Sequence, residues 1–268
     1  MKLDVGFQAR NEFTDEYQRM IKLSSIETGI SGFQVARPVF LGERCISLFT
    51  ECCPGNTAEK HLNRMTCADD VKESFSTLGR WMKGFHSAHK QDYRKSWPGW
   101  ILSKVTSLMQ NKSKLDETFI DSELVQRAYQ HTSKLLQPLK GQPTLFAVQH
   151  GDVNKGNFII DGNSAWAVDF GPEKYGPAAL EISKMLLFDL LRPSSVSELS
   201  HNGMSRSSLK GFLAEYGDPF LPNELQFYCL AQLLLRYIST TSERYAFSVY
   251  QRKRQKHIEQ RLRLAVGK

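Results

Sequence analysis

Between residues 143 and 170 an otherwise helical sequence changes character. Short β-rich runs at 145–148, 158–160 and 165–168 alternate there with polar turns such as Asp161-Gly162-Asn163. Everything after about residue 68 outside that block shows helical spacing of apolar residues. Val71, Phe75, Leu78, Trp81, Met82 and Phe85 make one apolar helix face, and further helices are expected at 100–109, 124–136, 177–191, 207–216, 223–240 and 245–264. A β-rich loop embedded in helices excludes an all-helical bundle and a repeat architecture. Ahead of residue 53 the chain is mixed. Residues 1–5 have strand character, Asn11 or Thr14 can cap a helix through Leu23, and 33–40 and 44–51 read as paired strands around Leu41-Gly42-Glu43.

The embedded block also carries the residues suited to chemistry. It reads His150-Gly151-Asp152-Val153-Asn154-Lys155-Gly156-Asn157, then a strand, a turn and Val168-Asp169-Phe170-Gly171. Transfer of a phosphoryl group needs an acceptor hydroxyl positioned by a carboxylate and metal ions that neutralise charge on the phosphates. Asp152 at a loop apex suits the first task. Asn157 and Asp169 offer an amide oxygen and a carboxylate, the oxygen donors that a hard ion such as magnesium requires. Taken singly, each is also an ordinary turn residue. Six fixed residues at these spacings, at roughly 5% usage each, arise by chance in about one chain in 10^5.

The spacing resembles the protein-kinase pair His-Arg-Asp-Leu-x-x-x-Asn and Asp-Phe-Gly, with glycine in place of the arginine. His-Gly-Asp is the form typical of the aminoglycoside phosphotransferase and choline kinase family, and the chain resembles that family over most of its length. The resemblance implies an α+β, protein-kinase-like fold of two lobes. Residues 1–53 would form a small, truncated N-lobe with a hinge, and 54–268 a large, mainly helical C-lobe holding the catalytic and metal loops. It implies an ATP- and Mg2+-dependent kinase acting on a small-molecule hydroxyl, with Asp152 as catalytic base and Asn157 and Asp169 as metal ligands. Glu16 matches the helix glutamate that orients an ATP-binding lysine, which would be Lys2. Residues 48–55 look like the hinge, where backbone groups at Glu51 and Cys53 would meet the adenine edge. Lys155 stands between two readings, a cation on the transferred phosphate and a solvated lysine. Glu181 occupies the place of a family aspartate that braces the catalytic loop. His86 reads as a packed core histidine.

If Lys2 is the nucleotide lysine, the two strands and glycine-rich loop that such folds place before it are expected to be missing. A degenerate kinase fold serving as a binding or regulatory module is therefore the alternative.

The chain of 268 residues has a net charge of +7, which favours anionic partners. Together with the lack of an acid cluster in the helical stretches, it points to a neutral or anionic acceptor. Basic residues crowd positions 252–268, where they read as the solvated face of a terminal helix, with Ile258, Leu262 and Val266 on the other face. A patch binding an anionic substrate or membrane surface is the second reading of that run. No nucleic-acid motif accompanies it. Five cysteines at 45, 52, 53, 67 and 229 lack the spacing of a zinc set or disulfide framework. No apolar leader or spanning segment is present in the sequence, so a cytoplasmic address is expected.

Overall fold

The computed structural model describes residues 7–27, 32–42, 47–110, 119–192, 196–200, 202–240 and 248–267. Lys2 and the strand expected at 1–5 lie outside them. Two compact units emerge. The first comprises Met1–Gln91, Ala147–Gly176 and Gly211–Gly217, and the second Asp92–Phe146, Pro177–Lys210 and Asp218–Lys268.

The first unit opens with α1 (Phe7–Glu27), longer than its caps foretold. The strand expected over 33–40 is in fact two. β1 (Gln34–Val35) runs parallel to β8 (Ser164–Ala167), and β2 (Pro38–Gly42) pairs antiparallel with β3 (Ser47–Thr50). The chain changes partner at Pro38, which has no N–H to continue the first ladder. β4 (Asn56–Thr57) and β7 (Phe158–Asp161) complete a sheet of order β1-β8-β7-β4. The short helix α2 (Ala58–Asn63) follows β4.

The helix α3 (Ala68–Ser87) lies against β8. Its N-terminus is capped by Cys67 Sγ, which accepts from the Asp70 N–H, and Asp69 and Asp70 in the first turn complement the helix dipole. All six residues of the expected apolar face are buried. Trp81 is the hub of that face. Its ring stacks on Phe85 at 5.2 Å, meets Phe158 edge-on at 5.0 Å, and its indole N–H donates to the Gln34 carbonyl at 2.7 Å. A buried indole needs such an acceptor, and here the bond ties α3 to β1.

Elsewhere come β5 (Gln91–Lys95), β6 (Pro143–Gln149), β9 (Lys174–Pro177) and α7 (Arg206–Tyr216). The second unit gathers α4 (Gly99–Gln110), α5 (Ser122–Leu136), α6 (Ala178–Met185) and α9 (Val249–Val266) about α8 (Glu224–Ile238). Phe227, Leu230, Leu233, Leu234 and Tyr237 of α8 are fully buried or nearly so, the pattern of a helix covered on most sides.

The C-terminal helix α9 departs from the expected solvated face at one position. Ile258 and Leu262 are buried as expected, and Val266 is half-buried. Arg261, part of the basic run, is 2% exposed. Its guanidinium donates to Asp189 Oδ1 at 3.1 Å and to the Asp189 and Gly203 carbonyls, while Ser208 Oγ donates to Asp189 Oδ2 at 2.6 Å. A buried charge persists only with such a set of partners.

Candidate active site

The strand β6 delivers His150, which is fully buried and stacks on Phe170 with ring centroids 4.3 Å apart. The Asp152 backbone N–H donates to His150 Nδ1 at 3.3 Å. That bond requires the Nδ1 lone pair, so the ring sits as its Nε2–H tautomer. Between them Gly151 adopts a φ of +90°, which turns Asp152 outward. The histidine is thus a packing element, and the aspartate beside it is exposed.

The loop wraps around the Asp152 carboxylate. Asn154 Nδ2 and Asn157 Nδ2 donate to Oδ2 at 3.1 and 2.9 Å, and Asn157 Nδ2 also donates to the Asp152 carbonyl at 3.1 Å. With its nitrogen engaged there, the amide oxygen of Asn157 is turned away from Asp152. Asn154 Oδ1 closes a local turn by accepting from Gly156 N–H at 2.9 Å.

The hairpin β7–β8 explains why residues far apart in the motif meet. Phe158 pairs with Ala167, so Asn157, just before β7, lies beside Val168, whose N–H donates to the Asn157 carbonyl at 3.0 Å. Asp169 is one residue further on. Its φ of +60° lies in the left-handed region, which aspartate tolerates better than most residues but at a cost. A strained backbone held by its surroundings is common where a side chain must be aimed.

Asp152 and Asp169 line one cleft of about 620 Å3 with Phe170, Gly171, Pro172 and Glu173, facing Asp15, Glu16, Gln18, Arg19 and Lys22 of α1. Positions 15, 18, 19 and 22 follow helical spacing, so a single charged face of α1 forms that wall. Asp169 lines the cleft, whereas Asn157 does not and is held by its amide nitrogen to Asp152; a carboxylate and an amide oxygen are donors that fit a hard ion taking its other ligands from phosphate and water. Among the described residues no three His, Cys, Asp or Glu side chains form a closed metal cage.

A family model described as "Phosphotransferase enzyme family" matches residues 8–226, most of the chain and all of this loop. The chain belongs to the phosphotransferase enzyme family.

Solved structures place the phosphotransferase fold beyond its motifs. A putative aminoglycoside phosphotransferase from Ralstonia eutropha is 12% identical, with a TM-score of 0.59 over 94% of this chain and 83% of that one. A glucosamine kinase is 13% identical, with a TM-score of 0.58 over 91% and 67%. An amicoumacin kinase, solved in complex with AMP-PNP, Ca2+ and Ami, is 19% identical, with a TM-score of 0.52 over 93% and 77%. At these identities the likeness is one of fold, and it bears out the α+β, protein-kinase-like architecture. A search of curated proteins finds no match.

The other positions marked by the phosphotransferase resemblance fall as follows. Glu16 lines the cleft. Glu51 pairs with Arg37, donating its N–H to the Arg37 carbonyl at 2.8 Å and accepting the Arg37 N–H on its carboxylate at 3.0 Å. Cys53 is half-buried beyond β3. Neither lines the cleft around Asp152. Lys155 forms an ion pair with Glu59 of α2 at 2.5 Å, and its carbonyl accepts the Glu59 N–H at 3.1 Å. Glu181 is buried on α6, in the second unit. His86 is buried, with Nδ1 2.8 Å from the Tyr216 hydroxyl. Arg19 and Lys22 escaped the sequence reading. Their signal was the charged run at helical spacing, which reads equally as a solvated face.

Proposed function

We propose that the protein is an ATP-dependent phosphotransferase that moves the γ-phosphoryl group to a hydroxyl of a small molecule. The observation that carries this is the Asp152 carboxylate, exposed at the cleft and oriented by two amide donors, with Asp169 on the same wall. Asp152 Oδ2 is saturated by those donors, which leaves Oδ1 to meet the acceptor hydroxyl. Asp152 takes the hydroxyl proton as the acceptor oxygen bonds to phosphorus and the bond to the bridging oxygen of ADP breaks. Asn157 and Asp169 would hold magnesium, which when bound neutralises charge on the phosphates. Glu16 would orient Lys2, and the backbone at Glu51 and Cys53 would receive the adenine edge. Lys155, paired with Glu59, is assigned to holding α2 against the loop. In this reading residues 1–53 are the nucleotide-side lobe and 54–268 the helical lobe, and the site of action is the cytoplasm.

The cleft lining carries five carboxylates (Asp15, Glu16, Asp152, Asp169, Glu173) against two cations, Arg19 and Lys22. That balance suits metal ions and disfavours an anionic acceptor. The acceptor class proposed is therefore a neutral or amino-bearing hydroxyl compound.

The test is Asp152→Asn, assayed for Mg-ATP binding by calorimetry and for turnover across a panel of sugars and amino alcohols. Binding is expected to persist while phosphoryl transfer falls about 10^2-fold or more. An unmodified chain that binds nucleotide yet transfers phosphate to none of the panel would favour the binding-module alternative.

A further inference from the structure

The stretch from Tyr93 to Lys104 in the second unit leaves large aromatic rings open to solvent. Tyr93 on β5 is 61% exposed, Trp97 67%, and Trp100 in the first turn of α4 43%. Folding usually covers indoles, as it covers Trp81. Trp97 is nonetheless held in place. A Cβ added at Gly141 would stand 3.4 Å from its ring, so backbone supports the indole from one side. A ring two-thirds open is not the wall of a ligand cleft.

Exposed lysines accompany these rings, two in the same stretch of chain and one next to Gly141. Lys95, Lys104 and Lys140 are exposed, and Lys104 Nζ stands 4.9 Å from the centroid of the Trp100 ring. The only acid between residues 90 and 115 is Asp92, and Arg94 occupies both its oxygens at 2.8 and 3.0 Å. The patch therefore presents indole, phenol and positive charge together. Protein–protein interfaces enrich Trp and Tyr but deplete lysine. The headgroup layer of a bilayer selects both, aromatic rings at the level of the headgroups and lysines against lipid phosphates.

We propose that this face, Tyr93, Trp97 and Trp100 with Lys95, Lys104 and Lys140, docks the protein peripherally on an anionic phospholipid surface. Among the described residues no helix is long and apolar enough to cross a membrane. The contact would bring the enzyme to acceptors carried at that surface, and it does not depend on which acceptor the cleft takes.

The experiment is co-sedimentation of the full chain with vesicles of mixed phosphatidylglycerol and phosphatidylcholine, beside vesicles of phosphatidylcholine alone. Binding to the anionic vesicles is expected, weakening as salt shortens the Debye length, with tryptophan emission shifting to shorter wavelength. Trp97→Ala with Trp100→Ala should lower binding at least about tenfold, and so should Lys95→Gln, Lys104→Gln and Lys140→Gln combined. Turnover in solution and the unfolding midpoint should stay unchanged in both. The lysine variant alters only exposed side chains, so it decides the matter even if the tryptophan variant folds poorly. Three results would overturn the proposal: no preference for anionic vesicles, undiminished binding by the lysine variant, or a tryptophan variant that loses self-association instead of vesicle binding.

Discussion

Gly151 and Gly171 meet backbone to backbone. A Cβ added at Gly171 would stand 2.9 Å from the Gly151 carbonyl carbon, and one at Gly151 would stand 3.1 Å from Gly171 Cα. Asp152 follows the first glycine and Asp169 precedes the second by two residues, so this contact sets the spacing of the two carboxylates. It also gives a reason for glycine where the protein-kinase motif carries arginine. Gly171→Ala should force the two loops apart. Because displacement of about 1 Å costs on the order of 10^2-fold in rate, turnover is expected to fall steeply with the fold retained. Gly151→Ala adds the strain of a non-glycine residue at φ +90° and should also lower stability by about 1–3 kcal/mol. Steady-state kinetics with denaturant melts of both variants checks this.

Asp169 can be dissected through its backbone. Asparagine tolerates the left-handed region as aspartate does, while alanine tolerates it poorly. Asp169→Asn should therefore abolish the magnesium dependence of nucleotide binding with little change in melting temperature. Asp169→Ala should lose both. Nucleotide titrations with and without magnesium, beside thermal melts, distinguish charge from strain.

Arg19 and Lys22 bring positive charge to a cleft whose other charged lining residues are carboxylates. If they steady the nucleotide phosphates, Arg19→Gln and Lys22→Gln should raise the KM for ATP about tenfold with kcat little changed. A fall in kcat at unchanged KM would instead place them at the transferred group.

The buried Arg261–Asp189 pair ties α9 into the second unit. Removing one partner of such a pair costs about 3–5 kcal/mol, because the other charge stays buried alone. Arg261→Met should show that loss in urea denaturation, and Arg261→Met with Asp189→Asn should recover part of it. Deleting residues 252–268 should abolish cooperative unfolding, since Ile258 and Leu262 belong to the core.

Glu224 is buried, and desolvation raises its pKa to about 7, although one oxygen accepts the Leu221 N–H at 3.2 Å. The folded state holds this proton more tightly than the unfolded chain does. Stability contributed by the neutral acid is therefore complete below the unfolded value near 4.5 and is lost as pH rises to about 7. Glu224→Gln should flatten that part of the profile and be the more stable form above neutrality, by at most about 3 kcal/mol. Chemical denaturation of both forms from acid to mildly alkaline pH tests it.

The sequence alone determined what depends on short range. The β7–β8 hairpin is written in its Asp161-Gly162-Asn163 turn, and hairpin pairing then brings the backbone at Asn157 beside Val168, next to Asp169, so the motif that holds them was legible from spacing. The buried face of α3 was legible for the same kind of reason, because 3.6-residue periodicity marks which side of a helix is apolar. Periodicity does not say what covers a face. Only the tertiary structure decided that Arg261 is buried on Asp189, that Lys155 meets Glu59, that the charged face of α1 lines the cleft, and that Trp97 and Trp100 remain open. Each of those outcomes depends on a partner far along the chain, and a side chain's charge or apolarity leaves that partner unspecified until the elements pack.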